Sequence, residues 1–103
     1  MNNKEYIVTR LEIFDNVLSV CFLGSFTFRK TAADRVERDI ESQIDFYEAS
    51  GYEFSDKEKI QIREDYRLVA SDWDPVRATE WVITESIPDA NKDVFENVFE
   101  ISI

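Results

Sequence analysis

From Tyr6 to Phe14 the chain alternates, with Ile7, Leu11 and Ile13 on one face, and Asp15-Asn16 interrupts it before a second apolar run from Val17 to Phe28. Alternation is the period of a strand, and Asp and Asn tolerate the left-handed backbone of a tight turn, so the pattern predicts a β-hairpin. In the second run Leu18, Val20, Phe22, Gly24, Phe26 and Phe28 share one face, while Cys21 and Leu23 thicken the other. A run that is apolar on both sides predicts a central, largely buried strand, with Gly24 marking a bulge or the close approach of a neighbour.

The period then changes. Thr31 followed by Asp34 supplies an N-cap, and Val36, Ile40, Ile44 and Tyr47 recur at steps of four, four and three residues. That is one face of a helix over about 32–50, ended by Gly51. Arg35, Glu37, Arg38, Asp39, Glu41, Asp45 and Glu48 fill the remaining surface and read as a solvated face. Ser55-Asp56-Lys57-Glu58, preceded by Phe54, has the form of a capping box, and Ile62, Tyr66, Val69 and Trp73 make a second stripe. These features predict a helix over about 56–71. Ile60-Gln61-Ile62-Arg63 also alternates as a strand would, so this segment keeps both readings.

Asp74-Pro75 breaks the chain, and Thr79 to Ile87 is rich in β-formers, with Trp81, Ile83, Glu85 and Ile87 on one face. Pro88 to Asp93 makes a loop. Val94 to Ile103 places Phe95, Phe99, Ile101 and Ile103 on the face of a final strand, although Val94, Phe95, Val98 and Phe99 fit a short helix equally well. The whole reads as ββααββ: an α+β fold in a single domain over residues 1–103, an antiparallel sheet with two helices on one face.

Composition supports folding and restricts chemistry. Hydrophobic residues make up 44% of the chain and aromatics 14%, enough apolar surface to offset ordering entropy. No basic stretch leads into an apolar core at the start, and no apolar run approaches the roughly 18 residues of a membrane span, so a soluble cytoplasmic protein is expected. The lone cysteine, Cys21, has no partner for an intramolecular disulfide and is expected in the core. Without histidine, Ser-His and Cys-His nucleophiles and Cys/His zinc sites cannot be assembled within one chain. Gly24 and Gly51, the only glycines, cannot build a phosphate loop. The expectation is a non-enzymatic protein with no catalytic residues, no cofactor and no metal. One near match to a calcium loop exists, with Asp89, Asn91, Asp93, Asn97 and Glu100 at ligand spacing, but Val94 stands where the turn needs glycine.

Charge supplies the main functional signal. There are 22 acidic and 12 basic residues, a net −10. Residues 1–33 carry Glu5, Glu12 and Asp15 against Lys4, Arg10, Arg29 and Lys30, a net +1, which leaves −11 for residues 34–103. A surface of that sign repels nucleic acid and anionic lipid and steers toward basic partners. Direct nucleic-acid or membrane binding is not expected; a basic protein partner is.

Val82-Ile83-Thr84-Glu85-Ser86-Ile87, followed by Asp93-Val94, resembles the Glu-Ser-Ile strand of phage uracil-DNA glycosylase inhibitors and the acidic helix start behind it. The resemblance implies a DNA mimic that fills the enzyme's basic groove with an edge strand. Glu85 would stand in for a phosphate, Ser86 and Ile87 would line the contact, and Asp93 would supply a second anion. The candidate partner-binding set is therefore Glu85, Ser86, Ile87, Asp89 and Asp93. The leading expectation is an acidic inhibitor of a basic DNA-processing enzyme. The alternatives are an immunity or anti-defence protein that neutralises a nuclease toxin or effector, and an assembly protein that self-associates through Trp73, Trp81 or an exposed edge strand.

Overall fold

A computed structural model describes residues 4–71 and 76–86. The elements run β1 (Glu5–Phe14), β2 (Val17–Phe26), α1 (Arg29–Ala49), α2 (Asp56–Asp65), β3 (Arg67–Ala70) and β4 (Arg77–Ser86). This is the α+β architecture in ββααββ order, with a four-stranded antiparallel sheet in the order β2-β1-β4-β3. The strand read over Val94 to Ile103 lies outside the described residues.

The hairpin forms as its turn residues dictate. Asp15 and Asn16 take φ of 52° and 62°, the doubly left-handed backbone whose twist matches that of two antiparallel strands. The strand that follows differs from its expected place: among the described residues β2 stands at the edge of the sheet, with β1 as its neighbour. Its pairing jumps from Thr9↔Phe22 to Val8↔Gly24, so Leu23 is an extra residue in a bulge at the predicted glycine. One inserted residue reverses the alternation. Leu18, Val20 and Phe22 therefore share the face of Thr9, Leu11 and Ile13, while Gly24 and Phe26 lie with Val8 and Tyr6 on the other. The single apolar face expected from Leu18 to Phe28 is split between the two sides of the sheet.

The helices cover the Val8 side. Val8, Trp81, Leu68 and Ala70 from the strands meet Ala32, Val36, Ile40, Ile44 and Tyr47 of α1, with Phe54 and Ile62 closing the end near α2. Each fully buried Val, Leu or Ile of this cluster contributes about 1.5–3 kcal/mol. α1 begins three residues before the expected cap: its N-cap is Phe28, without a side-chain hydrogen bond, so the Thr31/Asp34 signal falls inside the helix. Its end is as expected. Gly51 N–H donates to Glu48 O at 3.1 Å and Tyr52 N–H to Tyr47 O at 2.9 Å, the paired bonds of a Schellman turn around a glycine at φ 95°.

Ser55 and Glu58 form the reciprocal capping box that starts α2. That helix is shorter than the stripe predicted. Tyr66 turns left-handed at φ 54°, and Arg67–Ala70 continues as a strand with Leu68 and Ala70 buried and Arg67 and Val69 exposed. Tertiary pairing wins over the helical stripe here: β3 has β4 to bond with, and Trp81 N–H donates to Tyr66 O at 2.9 Å at the junction. No helix among the described residues is long and apolar enough to cross a membrane.

Candidate protein-binding surfaces

Three features of the described residues bear on function. The first is Glu85. It lies near the end of β4, opposite Tyr6 of β1, on the face that carries Trp81 and Ile83. α1 begins nearby, and Glu85 meets Arg29 Nη1 at 3.6 Å and Lys4 Nζ at 3.8 Å, with about half of its side chain exposed. A carboxylate in an apolar alternation is accommodated at this point because the strand end has passed the helix-covered core. Its charge is met by two cations of its own chain. Pairing between β3 and β4 ends at Glu80, so Val82–Ser86 have a described strand neighbour on the β1 side only. Ser86 is half-buried and pairs with Glu5. Ile87, Asp89 and Asp93 lie outside the described residues, so Glu85 and Ser86 are the members of the predicted set that the structure places.

The second feature is the outer side of α1. Asp34, Glu37, Glu41, Asp45 and Glu48 are all exposed, and at 100° per residue they share one flank of the helix, about 120° round from Val36, Ile40 and Tyr47, with buried Ile44 at its border. Two of the five are tied to α2. Glu41 takes a two-pronged contact from Arg63, Nη2 to Oε1 at 2.7 Å and Nε to Oε2 at 2.9 Å. Lys59 lies 3.1 Å from Glu48. The Arg63 hydrogen bonds hold the Glu41 carboxyl below its ordinary pKa, against a smaller opposing effect of burial. Among the described residues none pairs with Asp34, Glu37 or Asp45. In the sequence Glu37, Glu41, Asp45 and Glu48 read as a solvated face and Asp34 as part of the helix cap.

Asp39 does not belong to that solvated face. It is buried beneath α1, where Arg10 Nη1 donates to its two oxygens at 2.9 and 2.8 Å and Trp81 Nε1 donates to Oδ2 at 2.7 Å. Burial works to lower the Arg10 pKa, but the hydrogen bond and charge of Asp39 outweigh it, so the guanidinium is held more firmly charged. Glu12 extends the cluster, 3.3 Å from Arg10 Nε and 4.0 Å from Arg77 Nη2. Arg77 in turn stacks over Phe14 and Phe46. Every carboxylate of this cluster faces a cation, and the contacts tie α1 to β1 and β4.

The third feature is the sheet face turned away from the helices. Leu18, Val20 and Phe22 are 61%, 65% and 65% exposed, and Ile13, Leu11, Ala78, Val82 and Val69 continue the apolar surface across the other strands. Cys21, expected in the core, is a half-buried free thiol on the opposite face of the same edge strand. Among the described residues no group of three or more His, Cys, Asp or Glu side chains is placed to hold a metal.

No protein-family model matches this chain, and no curated protein or solved structure does either.

Proposed function

We propose that this is a small acidic binding protein, without catalysis of its own, that blocks a basic nucleic-acid-binding protein by occupying the surface that partner offers to phosphates. The observation that carries the reading is the row of Asp34, Glu37, Glu41, Asp45 and Glu48 on α1. These carboxylates recur about once per 5.4 Å of helix axis, against one phosphate per strand for each 3.4 Å of duplex axis, or roughly two for every three phosphates of one strand per unit of axial length. The scaffold beneath is rigid where it matters: the Arg10-Asp39-Trp81 cluster fixes the inner side of the same helix. A preordered row of charge loses little entropy on docking and steers encounter with a basic groove.

Uracil-DNA glycosylase is the named target, through Glu85-Ser86-Ile87. With Lys4 and Arg29 already against it, Glu85 is a weaker phosphate substitute than Asp34, Glu37 or Asp45. The test is uracil excision measured with this protein in molar excess, at low and at physiological salt. Inhibition that weakens with salt, and whose on-rate falls on the order of tenfold in the triple variant Asp34→Asn/Glu37→Gln/Asp45→Asn, supports the reading. Unchanged excision removes the glycosylase as target. Inhibition lost with Glu85→Ala but kept in the triple variant would move the contact from α1 to β4.

A further inference from the structure

Among the described residues the outer face of the sheet is apolar, open and nearly neutral, and we infer that it is the contact surface of a homodimer in which two copies pack sheet against sheet. Along β2 the exposed stripe is Leu18, Val20 and Phe22; Ile13 stands beside Leu18 on β1, and Val69 closes the far side on β3. Between them Leu11, Ala78 and Val82 fill the middle of the face. A sheet with helices on one side and apolar residues on the other is a structure that lacks a layer, and face-to-face packing at about 10 Å supplies it.

Charge and area both select a second copy as the occupant. Each chain carries −10, which would oppose association through most of its surface. The acid row, however, lies on the outer side of α1, on the opposite side of the molecule from this face. Within the face Glu80 stands opposite Arg67 in register, so the two charges offset each other, and Glu5 at its end accepts a hydrogen bond from Ser25 at 3.1 Å. The face is thus the region where two acidic copies meet with least repulsion. Three ten-residue strands and one of four, about 4.8 Å apart, project roughly 550 Å², somewhat below the ~800 Å² of accessible surface that a stable interface buries per partner but of the same order. A two-fold axis lying in the plane between the two sheets places the same patch on both sides, as a closed dimer requires. The inference does not depend on the acidic row being functional; dimerisation leaves both α1 rows outward.

Sedimentation of the full chain over a wide concentration range tests it, with three single variants at exposed positions: Val20→Lys on β2, Val69→Lys on β3 and Ile60→Lys on α2. The wild type is expected at twice the 12.1 kDa of one chain at tens of micromolar. Val20→Lys and Val69→Lys are each expected to raise the dimer dissociation constant at least tenfold, and Ile60→Lys to leave it unchanged. Circular dichroism, unaltered by these substitutions, shows that loss of dimer is not loss of fold. A wild type that stays monomeric at every concentration overturns the inference, including the case in which residues beyond Ser86 cover the face of their own chain. A dimer broken by Val20→Lys but not by Val69→Lys also overturns it, since that result means strand-to-strand pairing along the β2 edge.

Discussion

The two sides of the sheet differ in what they hold: the covered side encloses a charged cluster within the apolar core, and the open side displays apolar side chains. Beneath α1, surrounded by Val36, Ile40 and Trp81, sits a charged cluster of Arg10, Asp39 and Glu12. On the far side, facing outward, are Leu18, Val20, Phe22 and Ile13. The covered face carries specificity: Asp39 bonds one residue from β1 and one from β4, so α1 has a single position over the sheet. The open face carries apolar area with nothing described against it. Burial in this protein therefore follows which side the helices take, and residue polarity alone does not predict it.

The comparison is broken most severely at Asp39. Asp39→Ala removes the acceptor of Arg10 Nη1 and of Trp81 Nε1 and leaves the half-buried Arg10 with Glu12 as its remaining partner. Losing one member of a buried ion pair costs about 3–5 kcal/mol. Chemical denaturation should show a loss of that size, with a lowered midpoint, while Asp45→Ala on the exposed side of the same helix stays near wild type. Next is Gly24→Ala. Gly24 has φ 147°, and an added Cβ would come within 2.8 Å of the Phe26 ring. Backbone of that kind costs on the order of 1–3 kcal/mol for a residue other than glycine. This substitution strikes the bulge that sends Phe22 to one face and Phe26 to the other, so amide exchange should rise along β2 before it rises in α1.

Much of this was legible in the sequence, and the failures share a cause. The hairpin, the capping box at Ser55 and the stop at Gly51 are local events, set by residues adjacent in the chain, and they appear as expected. What could not be read depends on a distant partner. Arg67–Ala70 followed a helical stripe until β4 offered it a strand to pair with. Asp39 was one acid among many until Arg10 and Trp81, 29 and 42 residues away, met it. β2 reads as apolar on both sides, and the reversal of its alternation at Leu23 is invisible without its register against β1. Of the site, the glutamate in the apolar run was visible at once. The two cations that already satisfy it, Lys4 and Arg29, come from the opposite end of the sequence.

A milder perturbation probes the open face. In dilute, monomeric protein Val20→Thr should change unfolding free energy by no more than about 0.5 kcal/mol, because the side chain is largely solvated before and after. Val36→Thr, the same change in the covered core, buries a hydroxyl and should cost about 1–3 kcal/mol. The ratio of the two effects measures how fully the helices, and nothing else, define the core.

The smallest effect compares two arginine–carboxylate pairs. Arg10–Asp39 is enclosed and Arg63–Glu41 stands in solvent, with similar contact distances of 2.8 and 2.7 Å. Glu41 is the residue whose pKa the hydrogen bonds from Arg63 lower, so folding favours its ionised form. The stabilisation from that shift is fully present above the unfolded-state pKa and is lost as pH falls through the lower folded value. Carboxyl-detected NMR titration should find the Glu41 midpoint below the ordinary glutamate value, and Arg63→Ala should return it upward. Because both side chains are solvated, the accompanying fall in stability on acidification should shrink further in high salt. A fall unaffected by salt would show instead that α1 and α2 are held together at this point by a shielded contact, and would make this pair resemble the buried one.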